Sequence, residues 1–151
     1  MEIQTHFREL LTLLEKNDVE YVIVGGYAMA FHGYPRFTKD IDIFFKNSVD
    51  NIKKIQKALM GFGFSAQDLE ESLFTEPGNI IQFGIIPLRV DIFNEIDGVE
   101  FDEVIKNSVR GKYGDIEVTF IGQIELIKNK KASGREQDIL DAKKLENNHR
   151  K

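Results

Sequence analysis

Residues 21–45 read YVIVGGYAMAFHGYPRFTKDIDIFF, and their reading decides the fold. Tyr21-Val22-Ile23-Val24 is a short, β-branched apolar run, which predicts a buried strand. Gly25-Gly26 closes it, and small residues from Tyr27 to His32 predict a short helix. A glycine turn that opens a helix presents free backbone N–H groups and a positive dipole end, a seat for phosphate. Many strand-to-helix turns use glycine for tightness alone, so this pair is a weak signal on its own. His32 to Arg36 is a loop that brings Arg36 toward the carboxylates that follow, with Thr38 bracing it. Arg36 fits an ion pair to an aspartate and a clamp on substrate phosphate equally well. Asp40 to Phe45 is a second strand. Side chains alternate across a strand, so Asp40 and Asp42 share one face, with Ile41 and Ile43 on the other. Two carboxylates this close repel unless a cation sits between them. Oxygen-only ligands suit Mg²⁺ or Mn²⁺.

A third carboxylate follows on a later strand. Ile80 to Ile85 and Leu88 to Ile96 read as a hairpin turned at Pro87. Leu88-Arg89-Val90-Asp91-Ile92-Phe93 sets Asp91 among apolar neighbours, where an unpaired charge is costly. Its partner is either Arg89, one alternation away on the same face, or the cation assigned to Asp40 and Asp42. If the two strands are neighbours, the three carboxylates converge.

Around these strands the periodicity is helical. Ile3, Phe7, Leu10, Leu11 and Leu14 make an amphipathic helix over 2–17. Ser48 caps the next, with Val49, Ile52, Ile55, Ala58 and Leu59 on one face, until Gly61 to Phe64 ends it. Ala66 to Leu73 is a short helix or irregular, and Phe101 to Asn107 is a helix. Ile116 to Ile121 alternates as a strand. Gly122 precedes a helix carrying Ile124, Leu126 and Ile127, broken at Lys130 to Arg135. The last helix starts near Glu136, carries Ile139, Leu140, Ala142 and Leu145, and frays from Asn147. Asp138 and Asp141 near its start suit the helix dipole and a bridge to Arg135. The expectation is an α/β (α+β) fold, a mixed sheet of about five strands flanked by helices, in one domain over 1–151.

Composition narrows the chemistry. The chain has 151 residues, 12 phenylalanines for a core and no cysteine, so disulfides and thiolate zinc sites are excluded. No apolar run approaches the ~20 residues of a membrane helix, and the N-terminus lacks an export signal, which makes the cytoplasm the expected compartment. Net charge is −5, split between an acidic body (12 basic and 20 acidic residues over 1–122) and a basic end (8 basic and 5 acidic over 123–151). The body favours cations over polyanions; the end suits a solvated helix or a phosphate.

The pattern GG-x13-D-x-D with a later aspartate resembles the nucleotidyltransferase superfamily of DNA polymerase beta-like fold. Gly25-Gly26-Tyr27-Ala28, then His32-Gly33-Tyr34-Pro35-Arg36, Thr38, Asp40 and Asp42, resemble small prokaryotic AbiEii-type toxin nucleotidyltransferases. Residues 126–145, LIKNKKASGREQDILDAKKL, look like theirs too. The resemblance implies that Asp40, Asp42 and Asp91 hold two metal ions and carry catalysis. Asp91 would bind the metal nearer the attacking hydroxyl and help deprotonate it. Gly25 and Gly26 would cradle the phosphates of a nucleoside triphosphate, and Lys130, with Arg36, would contact them. Many members have a serine where this chain has Tyr27, which weakens the phosphate seat. The acceptor would be a hydroxyl on tRNA, on a protein or on a small molecule, and an antitoxin partner would accompany a toxin. Two other readings use the same residues: an antibiotic-modifying transferase, and a nucleotide-binding antitoxin or scaffold without the reaction.

Overall fold

The structure, a computed structural model, describes residues 1, 3–35, 38–84 and 87–149, with backbone alone at 148 and 149. Its centre is a six-stranded mixed sheet in the order β3-β4-β2-β1-β6-β5. The strands are β1 (Tyr21–Val24), β2 (Asp40–Phe45), β3 (Ile80–Phe83), β4 (Arg89–Phe93), β5 (Val109–Tyr113) and β6 (Ile116–Phe120). β2 runs antiparallel to β1 and parallel to β4, while β1 and β6 are parallel. β3 and β5 close the edges as antiparallel hairpin partners of β4 and β6. The sixth strand, β5, was not expected. Its sequence VRGKY has no apolar alternation, because an edge strand whose side chains are mostly exposed, Tyr113 apart, needs none.

Alternation along the strands creates two cores. Tyr21, Ile23, Ile41, Ile43, Phe45, Val90 and Ile92 point to one face. There they are covered by α1 (Thr5–Lys16), through Phe7, Leu10, Leu11 and Leu14, and by α3 (Val49–Phe62), through Ile52, Ile55, Ala58 and Leu59. Ser48 accepts a hydrogen bond from the Asn51 N–H and caps α3, and Gly63, at φ +126°, ends it. The opposite face carries Val22, Val24 and Phe44. It packs against α5 (Phe101–Lys106), through Phe101 and Val104, and against α6 (Gln123–Ser133) and α7 (Glu136–His149), through Leu126 and Leu145. Asp40 and Asp42 belong to this second face, as the alternation requires.

Several boundaries differ from the sequence reading. α2 (Gly25–Phe31) starts on the glycines themselves rather than at Tyr27. α6 continues through Lys130 to Ser133 and stops at Gly134, whose φ of +70° admits a left-handed cap, so Lys130 is helical and not part of a break. α7 runs on to His149 instead of fraying at Asn147. The 66–73 segment divides into a 3₁₀ turn at Ala66–Asp68 and a short α4 (Glu71–Thr75). Ile3, Val49, Ile124 and Leu140, assigned by period to apolar faces, are exposed. Ile3 precedes its helix, and Val49 and Ile124 occupy first turns. Among the described residues no helix is long and apolar enough to cross a membrane.

Candidate active site

The register between β2 and β4 builds the site. Asp40 pairs with Arg89 and Asp42 with Asp91, so four side chains stand at the corners of a rectangle on one face. Neighbouring strands are about 4.8 Å apart and alternate residues about 6.6 Å. Three corners are carboxylates and one is a guanidinium. Arg89 donates from Nε to Asp91 Oδ1 at 2.9 Å and from Nη2 to Asp91 Oδ2 at 3.1 Å, and Nη2 also lies 3.1 Å from Asp40 Oδ2. The Asp91 side chain is 8% exposed and that of Arg89 49%, so the carboxylate sits inside and its counter-ion at the mouth. Of the two partners expected for Asp91, Arg89 is the one that holds it, and the other two aspartates share its face.

Asp42 has the most perturbed charge. Its carboxyl is pushed up to about 7, first by burial and then by the negative charges of Asp91 and Asp40, against the opposing pull of Arg89 and Lys130. Gly25, at φ +67°, lies directly against it: a Cβ there would sit 2.1 Å from Asp42 Oδ2. Only glycine allows the end of β1 to meet this carboxylate and turn into α2. A Cβ on Gly26 would meet the Thr38 side chain at 2.8 Å, which is how Thr38 braces the turn. Tyr27, which the resemblance sets at the place of a serine, turns away into the first core. It packs edge-on to Phe7 and Tyr113, and its hydroxyl reaches the Thr38 carbonyl at 3.4 Å. Tyr27 therefore offers no hydroxyl to a phosphate at this turn.

Gly25, Gly26, Asp42 and Lys130 line one cleft of about 900 Å³. Its far wall is the segment 94–102: the strand expected to reach Ile96 ends at Phe93, residues 94–100 connect β4 to α5, and Phe101 and Asp102 open α5. Asn94 ties that segment down by donating to the Phe74 and Glu76 carbonyls and accepting from the Gly78 N–H. No periodic signal marks such an anchor. Among the described residues six acidic side chains line the cleft, Glu95, Asp97 and Glu100 among them, against three basic ones, Lys46, Lys130 and Arg135.

Lys130 reaches the cleft wall from α6 with its ammonium already held. Nζ lies 3.1 Å from Asp138 Oδ1 and 3.0 Å from Asp141 Oδ2. Asp138 also meets Arg135, as expected, and the Ser133 hydroxyl. Burial would raise its carboxyl, but the Ser133 hydrogen bond and the positive charges of Lys130 and Arg135 hold it below the ordinary value. Asp141 is fully buried beside Lys130 and also accepts a hydrogen bond from Gln137 Nε2 at 2.9 Å. Arg36 lies outside the described residues.

Hard oxygen donors in this register fit a divalent cation, and three carboxylates against one guanidinium leave a negative surplus. Among the described residues, however, no three acidic or imidazole groups are gathered closely enough to cage an ion as they stand. Arg89 takes up the space between two of them.

A parallel β2/β4 pair carrying these acids, an antiparallel β1 and a glycine turn beside the middle aspartate define a nucleotidyltransferase fold. The structure resembles the crystal structure of a candidate nucleotidyltransferase from Thermotoga maritima, with a TM-score of 0.62 and 18% identity, covering 94% of this chain and 91% of that one. The chain belongs to the family described as nucleotidyl transferase of unknown function (DUF2204), whose model matches residues 3–151. No curated protein matches it.

Proposed function

We propose that residues 1–151 act as one transferase domain that moves a nucleoside monophosphate from a nucleoside triphosphate to a hydroxyl acceptor. The observation that carries this reading is the convergence of Asp42, Gly25 and Gly26 on one cleft, with Asp91 and Asp40 in register beside Asp42. Asp40, Asp42 and Asp91 are the residues that would hold Mg²⁺ or Mn²⁺. Divalent-metal chemistry at these oxygens supplies charge neutralisation for the phosphates and a more acidic attacking hydroxyl. The side-chain-free backbone at Gly25 and Gly26 lets the triphosphate approach Asp42. Lys130 tempers the negative charge at the cleft wall while staying bound to Asp138 and Asp141. The acceptor oxygen bonds to the α-phosphorus, the bond from that phosphorus to the β-bridging oxygen breaks, and pyrophosphate leaves. The hydroxyl proton passes to Asp91. Positioning and charge stabilisation carry the rate.

The acidic excess in the cleft favours an acceptor without a dense run of phosphates, a protein or small-molecule hydroxyl, over a tRNA end. The resemblance to AbiEii-type toxins supports the opposite choice, tRNA, and a place in a toxin–antitoxin pair. Incubating the protein and Mg²⁺ with each α-labelled ribonucleoside triphosphate and a fractionated cell extract decides both points. The reading predicts label in one macromolecular or small-molecule fraction, with pyrophosphate released. Binding of triphosphates without release in any fraction would instead mark a nucleotide-binding module.

A further inference from the structure

Among the described residues Arg89 is the cation on the carboxylate rectangle, and it touches two of the three acids at once. We infer that Arg89 is a resident competitor for the metal site: its guanidinium bridges Asp40 and Asp91 in the ion-free protein, and a divalent ion enters only as that bridge opens. The inference rests on the reading that these aspartates hold a divalent ion.

Geometry leads to it. Arg89 and Asp40 are register partners on adjacent strands, and Asp91 is two residues along from Arg89 on the same face. The planar fork of the guanidinium grips Asp91 with two parallel bonds and shares Nη2 with Asp40. Both acids are thus drawn onto Arg89, which is why the three carboxylates do not close into a cage. Nor is Arg89 locked in place. Its side chain is half-exposed and, with Asp40, borders a small hollow of about 280 Å³ lined also by Gln82, Phe83, Gly84, Pro87 and Leu88. Its outer edge faces solvent, toward which the guanidinium can move with β4 unmoved. A bridge over two carboxylates keeps like charges from repelling on one sheet face while no ion is bound. The same bridge lowers the affinity for an ion that must break it. Arg89 is thereby a positioning residue that sets the divalent-ion concentration at which the site assembles.

Mn²⁺ binding to the intact protein, without nucleotide, tests this by paramagnetic resonance titration at fixed pH and salt. Arg89→Met is expected to bind Mn²⁺ at least tenfold more tightly than wild type. Arg89→Lys keeps the charge but cannot bridge two carboxylates through a planar fork, and is expected to fall between the two. The Lys variant separates a bridge from a mere nearby charge, and it serves alone should the Met variant fail to fold, which a melting curve reports. Arg89→Lys matching wild type, or Arg89→Met binding no more tightly, would overturn the inference. Asp42→Asn is the site control and should lose Mn²⁺. If it does while the Arg89 variants match wild type, the competitor fails and the metal reading stands. No Mn²⁺ bound by wild type or either Arg89 variant overturns both.

Discussion

Replacing Asp42 with asparagine should stabilise the protein in alkaline buffer and lose that advantage in acid. The unfolded chain releases the Asp42 proton near 3.8, whereas the folded protein holds it to about 7. A carboxyl raised on folding contributes stability that is fully present below the unfolded value. That stability is lost as pH climbs from about 3.8 through about 7. At about 1.4 kcal/mol per tenfold change in proton affinity, the gap amounts to roughly 4 kcal/mol. Partial solvent access to the site trims this to about 2–4 kcal/mol. The amide of the variant does not titrate, and other groups titrate in both proteins and largely cancel. Urea denaturation with a chelator present, at pH 8 and at pH 4, measures the difference between variant and wild type at each pH. The difference at pH 8 should exceed that at pH 4 by about 2–4 kcal/mol in favour of the variant. Equal differences at the two pH values would refute the crowding of Asp42 by burial, Asp91 and Asp40.

Three further substitutions probe the frame around this carboxylate. Gly25→Ala forces a side chain into positive φ and onto Asp42 Oδ2, and should cost about 1–3 kcal/mol by denaturation while sharply reducing transfer. Lys130→Met takes the buried ammonium away from Asp138 and Asp141 and should destabilise by roughly 3–5 kcal/mol; unchanged stability would mean that the lysine is not the buried partner described. Tyr21→Phe removes a hydroxyl that donates to Glu15 on the opposite face of the sheet, and should cost about 1 kcal/mol while transfer per folded molecule stays at the wild-type level.

Most of the fold was legible because strand period and turn chemistry agree locally. Tyr21–Val24 and Asp40–Phe45 stand where the apolar runs and the glycine pair put them. The hairpin after Pro77-Gly78-Asn79 holds for the same reason, with strands at Ile80–Phe83 and Arg89–Phe93 shorter than the runs Ile80 to Ile85 and Leu88 to Ile96, Ile85 lying outside the described residues. What sequence reading missed is set by long-range contact. Val109–Tyr113 is a strand because β6 offers it an edge, not because of its own pattern. Lys130 is buried because two acids on the next helix surround it, which spacing alone does not reveal. At the site, alternation was enough to put Asp40 and Asp42 on one face. That Asp91 lies level with Asp42, and that Arg89 bridges to Asp40, required the parallel register of β2 and β4. The acidic far wall at 94–102 lies in a connecting segment held by Asn94, and no period could show it.

The account stands most directly on Asp91, the acid that only the fold brings to the other two. Pyrophosphate release should be measured for wild type and Asp91→Asn with Mg²⁺, labelled triphosphate and the acceptor fraction identified above, alongside melting curves for both. The account predicts release by wild type and a loss of at least a hundredfold in a variant that still melts cooperatively. Release at the wild-type rate by folded Asp91→Asn would contradict it.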